Sequence, residues 1–143
     1  MHNQQANQLI LEKVNESCQL GSEFILQFYN LFDANREQLK SLFAPGSHYF
    51  FRGNSFPNDR CDIPSLLSTL PPSKHDLFSF DSQPIFDQNY QWIALQLTIR
   101  GTVQFEGERK KPFLETLILI PDANRGTLGV QFGTFRMIET PSS

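Results

Sequence analysis

The chain changes its hydrophobic period once, near its middle. Through residues 5–32, Leu9, Ile10, Val14, Cys18, Gly21, Phe24, Ile25, Phe28, Leu31 and Phe32 recur at steps of three and four. That spacing predicts one long helix with a single apolar stripe. Gly21 within it marks either a bend or a close packing contact. A short second helix follows. Asn35 is placed to cap it, Gln38 holds the capping-box position, and Leu39, Leu42 and Phe43 face inward. "APGS" at 44–47 is turn chemistry, and "HYFF" then reads as a short strand ending at Gly53-Asn54. Asp62 is placed to cap a third helix with Pro64 in its first turn, and Pro71-Pro72 must end it.

From His75 onward the period is two. Ile93, Leu95, Leu97, Ile99, Val103 and Phe105 form an apolar face. They alternate with Trp92, Ala94, Gln96, Thr98, Arg100, Thr102 and Gln104, a face of short, mostly uncharged, β-prone residues. A solvated face would more often carry Lys and Glu. This one suits contact with another protein, and a plain wet sheet face fits the same pattern. "EGERKK" at 106–111 is a charged hairpin turn. "PFLETLILI" and "LGVQFGTFRMI" are the last two strands, with "DANRG" between them. Three helices followed by long strands predict an α+β domain whose helices cover one sheet face and leave the other open. An uncovered sheet face of that size asks for a partner.

Composition narrows the picture. The chain has 143 residues, 39% of them hydrophobic, with fourteen phenylalanines, enough for one packed core in a single domain spanning 1–143. Residues 1–6 and 140–143 are expected to be flexible ends. The net charge of −3 disfavours direct nucleic-acid binding. No apolar run approaches the roughly 18 residues of a membrane span, and the polar opening "MHNQQANQ" lacks a signal pattern. Cys18 and Cys61 read as reduced thiols of a cytosolic or nuclear protein. The histidines do not cluster with them at ligand spacing, so neither metal nor cofactor is expected.

"EFILQFYNLFDANREQLKSLFAPGS", "FFRGN", "LLSTLPPSKHDLFSFDSQPI", "GTVQFEGERKKPFLETLIL" and "GTFRMIE" follow one another in an order and spacing that resemble the nuclear transport factor 2 family over about residues 20–139. The resemblance implies a cone-like α+β fold, with three helices packed on a strongly bent antiparallel sheet. "GTVQFEG" at 101–107 and "LPPS" at 70–73 are most similar to the branch that supplies the small subunit of the general mRNA export receptor. That branch implies a non-catalytic chain that pairs through its open sheet face with the transport-factor-like domain of a large subunit. It also implies shuttling between nucleus and cytoplasm, with phenylalanine–glycine nucleoporins met through the complex. The family's Ran-GDP carriers hold Ran with a Trp-Glu-Gly; the matching residues here are Phe51, Arg52 and Gly53. An acid replaced by a base at a close ionic contact costs roughly a kcal/mol or more, which argues against Ran carriage. A second departure is Leu128, where many members have Trp.

By the same resemblance, Arg136 of the Phe-Arg pair reaches an acid on the partner, as the planar guanidinium fork suits. On the strand pattern alone it is an ordinary surface arginine. Phe132, Thr134 and Phe135 are placed with it, and Gln96, Thr98, Arg100 and Thr102 share the face. Tyr49, Phe50, Phe51 and Phe56 read as core and rim packing rather than a ligand pocket. The fold also hosts isomerases and dehydratases, which need a carboxylate base and a Tyr or His acid inside the cone. Here Tyr29, Asp33, His48, His75, Asp76 and Asp81 fall near turns and strand ends, and no facing pair is expected. A homodimeric transport factor for Ran-GDP or nucleoporins is the alternative function.

Overall fold

A computed structural model describes residues 2–52, 54–57, 62–122 and 127–138. Helix α1, His2–Ala34, is one unbroken 33-residue helix. It begins at His2, so residues 2–6, expected to be a loose end, lie within its first turns. Its buried stripe is Ser17, Gly21, Phe24, Ile25, Phe28, Tyr29 and Phe32. Leu9 and Cys18 fall outside the stripe and are exposed, a correction to the expected face. Gly21 serves close packing rather than a bend: a Cβ there would sit 2.7 Å from Ser82 Oγ and 2.8 Å from Leu97 Cδ2. Asn35 caps α2, Arg36–Leu39, by accepting from the Gln38 N–H at 3.3 Å. A 3-10 turn, Lys40–Leu42, then brings Leu42 into the core. Helix α3, Asp62–Thr69, stops before Pro71-Pro72 as expected.

Six strands form one sheet in the order β2-β1-β6-β5-β4-β3. They are β1 Phe43–Phe51, β2 Asn54–Pro57, β3 Ser73–Phe86, β4 Trp92–Phe105, β5 Lys111–Asp122 and β6 Thr127–Met137. The sheet is mixed rather than antiparallel throughout, because β1 runs parallel to β6. Side-chain alternation is the same in both pairings, so the pattern carries no direction. "APGS" is not a turn: β1 runs through it, with Gly46 at φ 73 and a register shift between Phe43 and His48. Glycine takes that left-handed backbone without Cβ strain, and the strand bends instead of ending. Further shifts fall in β3 at Leu77/Ser79 and in the β5–β6 pairing at Ile118/Leu119, where Gln131 of β6 is passed over.

Helix α1 lies against β3 and β4. The core between them holds Phe24, Ile25, Phe28, Phe32, Leu95, Leu97, Ile99, Val103, Phe105, Phe113, Leu117 and Phe135, all buried. Ile93, expected on this face, is 46% exposed, while Ala94 is buried; the alternation of β4 starts only at Leu95. Arg36 fastens the helices to the sheet end. Its guanidinium donates to the Leu70 and Pro71 carbonyls and to Ser73 Oγ at 3.1 Å, and its Nε donates to the Phe32 carbonyl at 3.0 Å. Phe56, Gly53, Cys61 and the Asp62 cap lie outside the described side chains, as do 123–126 of the "DANRG" loop and residues 140–143.

Candidate functional site

Among the described residues, the sheet face opposite α1 carries no helix. Register places its side chains in rows. One runs Gln83, Gln96, Ile118, Phe132, His48; the next runs Asp81, Thr98, Thr116, Thr134, Phe50. A third runs Ser79, Arg100, Leu114, Arg136. Six of the predicted surface residues therefore share this face with Arg136: Gln96, Thr98, Arg100, Thr102, Phe132 and Thr134. Phe132 is 37% exposed and stacks at a tilt on Phe50, with ring centroids 5.5 Å apart. Ile118 and Leu114 are half-buried with no helix over them. Arg100 and Arg136 are exposed and form no ion pair among the described residues. Two strand spacings put them about 10 Å apart, on either side of Leu114.

Phe135 corrects the prediction. It is 1% exposed and points into the core, stacked on Phe51 at 4.8 Å and on Phe113 at 5.3 Å. Strand parity requires this, since Thr134 and Arg136 point the other way. Phe51 and Tyr49 are likewise buried, while Phe50 lies on the open side. Arg52 sits in the β1–β2 turn at φ 53, exposed, with its Nη1 3.7 Å from Glu108 Oε1 on the β4–β5 hairpin. The acid of that hairpin therefore faces a base.

The interior holds polar chemistry that the sequence reading missed. Glu115, on the inward face of β5, is 0% exposed. The Tyr29 hydroxyl donates to its Oε1 at 2.5 Å, and the Tyr49 hydroxyl donates to its Oε2. Burial pushes the Glu115 carboxyl up, the two hydroxyls pull it back, and it settles at about 7. Burial, then the Glu115 charge, raises both tyrosines well above their usual range. Beside this cluster, His75 packs its ring 4.9 Å from Tyr29 and 4.8 Å from Phe32. Its Nδ1 lies 2.7 Å from Asp33 Oδ1, and its Nε2 is buried without a hydrogen-bond partner. Burial raises the Asp33 carboxyl, but hydrogen bonds from the His75 side chain and backbone and from Ser73 outweigh it and hold it low. The expectation of no facing acid–base pair inside the cone is thus corrected. A single charged residue in an apolar strand reads as solvent-facing, and nothing local announces that two tyrosines will meet it.

The hollows described on the surface are lined elsewhere. One of about 350 Å³ lies between Leu9, Ile10, Lys13, Phe86, Tyr90 and Trp92, where Lys13 sits over the Trp92 ring at 5.9 Å. Another is lined by Pro72, Ser73, Lys74, Gln104, Glu106 and Gly107. Neither reaches Glu115. The described residues bring no three His, Cys, Asp or Glu side chains together as metal ligands.

Comparison with known proteins gives one family and one fold. A model of the nuclear transport factor 2 (NTF2) domain matches residues 20–137. NTF2-related export protein 1 of Bos taurus is 26% identical over 112 residues, covering 78% of this chain and 79% of that protein. The NTF2-related export protein of Caenorhabditis elegans is 26% identical over 134 residues, covering 92% and 96%. Among solved structures, nuclear transport factor 2 of Cryptosporidium parvum superposes with a TM-score of 0.72 at 22% identity, covering 86% of this chain and 95% of that one. Mtr2 of Candida albicans, in its complex with the Mex67 M domain, gives 0.69 at 12% identity, covering 90% and 99%. At those identities the structural likenesses speak for the fold alone.

Proposed function

The chain belongs to the nuclear transport factor 2 domain family, and from that premise we propose that it is a non-catalytic small subunit of a nuclear export receptor. In this reading its open sheet face docks on the transport-factor-like domain of a large mRNA export subunit. The heterodimer then carries RNA through nuclear pores, meeting phenylalanine–glycine nucleoporins and shuttling between nucleus and cytoplasm. The observation that carries the reading is the open face itself. Among the described residues, Phe132, Ile118 and Leu114 lie there without a helical cover, and Arg100 and Arg136 lie there without acidic partners. Interface centres pair such apolar residues with arginines in this way. The relatives named export proteins support the same reading. So does Mtr2, whose structure was solved bound to the Mex67 M domain.

Glu115 favours a second reading, a small-molecule enzyme, because a carboxyl near 7 beside tyrosines and a histidine is acid–base equipment. Both its oxygens are occupied by hydroxyls of the protein's own core, and a substrate would have to displace a tyrosine to reach them. Ran-GDP carriage is disfavoured by Arg52, which faces Glu108 where a carrier presents acids.

The test begins with the tagged chain in its own cells. A large chain with a transport-factor-like domain should co-purify, and that domain expressed alone should form a one-to-one complex with this chain. Arg136→Glu should weaken the complex at least tenfold by calorimetry, which is about 1.4 kcal/mol. Equal affinities for wild type and variant sink the assigned contact. Failure of any such domain to bind, with a stable homodimer in its place, sinks the whole reading.

A further inference from the structure

We infer that Glu115 is a positioning residue for the open face: through Tyr29 and Tyr49 it ties the strand carrying the middle of that face to helix α1 and to strand β1, so the shape the face offers a partner depends on this buried carboxyl. The inference rests on reading the open face as a docking surface. Its geometry is separate from that reading. Glu115 sits on β5 between Leu114 and Thr116, and both of these point outward. Leu114 lies between Arg100 and Arg136, and Thr116 between Thr98 and Thr134. Directly beneath these two rows, the carboxyl is held from two other elements, by Tyr29 of α1 and by Tyr49 of β1.

There is little slack around it. Gly133 of β6 lies against Tyr49, and a Cβ there would come within 2.7 Å of the ring. Close-packed interiors pass small displacements on rather than absorbing them. Among the described residues the facing groups are few. Tyr29 and, behind it, Asp33 come from α1; Tyr49 comes from β1; His75 of β3 packs on the Tyr29 ring. The residues paired with Glu115 on β4 and β6 are Ile99 and Phe135, both apolar.

The hydrogen bonds must change with the proton. Ionised, Glu115 accepts from both hydroxyls. Protonated, its own O–H has to donate to one tyrosine oxygen, and that tyrosine's O–H loses its acceptor. The rearrangement therefore falls on α1 or β1, at each end of the brace. Burial and the two hydroxyls oppose each other closely enough to put this change at about 7, where both forms are populated in a cell.

The experiment starts with the protein alone. Backbone amide NMR follows a titration from about pH 5 to about pH 9, across the ordinary range of a raised carboxyl. Leu114, Thr116, Thr134 and Arg136 should move with one common midpoint, and in Glu115→Gln they should stand still. Tyr49→Phe removes one donor to the charged form, so it should move the midpoint up by about one unit. It also keeps the test alive if Glu115→Gln does not fold. A second arm uses the transport-factor-like domain of the large chain recovered from cells. Its affinity for wild type should change about threefold or more across the same range and stay level for Glu115→Gln. Face amides that stand still while the Glu115 carboxyl titrates overturn the inference, and so do identical pH profiles of binding in the two proteins. A domain that binds at no pH defeats the docking reading instead, while the amide titration still decides whether the brace shapes the face.

Discussion

On one side of strand β5, Phe113, Glu115, Leu117 and Leu119 are sealed beneath α1 and the neighbouring strands. On the other, Leu114, Thr116, Ile118 and Ile120 are half-buried with no described helix over them. Hydrophobicity does not sort these faces, since the inner one holds the charge and the outer one holds two isoleucines and a leucine. What sorts them is satisfaction. A buried carboxyl survives when each oxygen has a donor, and here Tyr29 and Tyr49 supply both. An outer face this apolar survives in water when something covers it. The inner face has completed its contacts within the chain, and among the described residues the outer face has not. Mutations should therefore divide: inner ones act first on folding, and on association only through the brace at Glu115, while outer ones act on association.

The largest effect is expected at Gly133→Ala. Its added methyl meets the Tyr49 ring at 2.7 Å and Leu117 Cδ2 at 3.0 Å, and Tyr49 cannot yield without leaving Glu115. Overpacking of this kind, together with a buried carboxyl short of a donor, should cost about 3 kcal/mol or more of stability in urea unfolding. A loss below ~0.5 kcal/mol would mean that the inner face has slack and that the contrast between the faces is false.

Next in size is the pH dependence of folding. Glu115 has its ordinary value of 4.5 in the unfolded chain and about 7 in the fold, so the folded protein holds this proton more tightly. Its contribution to stability is complete below about pH 4.5, is lost as the pH rises through about 7, and changes no further above that. The loss is on the order of 3 kcal/mol. Asp33 has the opposite sign. Held below its ordinary 3.8, it contributes above that pH and is lost as the pH falls through it. Wild-type stability should therefore decline from about pH 4.5 to about pH 7, and Glu115→Gln should flatten that limb while sparing the acid limb. A wild-type curve that rises over the same interval would show that Glu115 is ionised in the fold and reverse its assigned chemistry.

Much of this division was legible in the sequence. The step of three and four along α1 and the alternation Leu95, Leu97, Ile99, Val103, Phe105 located the core, because these elements have one apolar and one polar side. The motif run that resembled the nuclear transport factor 2 family covered the region that the family model matches. Strand β5 was not legible. "PFLETLILI" is apolar at both parities, so its only strong cue was Glu115, and that cue points the wrong way. The same ambiguity put Phe135 on the open face. Asp33 and His75 stand 42 residues apart and meet only because Arg36 and Ser73 bring the end of α1 against the start of β3. Such a pair has no local spacing to betray it.

The smallest effect expected on folding should come from the outer arginines, and its smallness is informative. Arg136 and Arg100 are exposed, and neither makes an ion pair among the described residues. Removing them should cost no side-chain pairing. Surface changes of this kind usually stay within about 0.5 kcal/mol. Arg100→Glu with Arg136→Glu should therefore leave the unfolding midpoint of the isolated chain in place, while binding to the large subunit should fall further than for either change alone. If the double variant lost several kcal/mol of stability, the outer face would be part of the fold's own support rather than a surface kept for a partner.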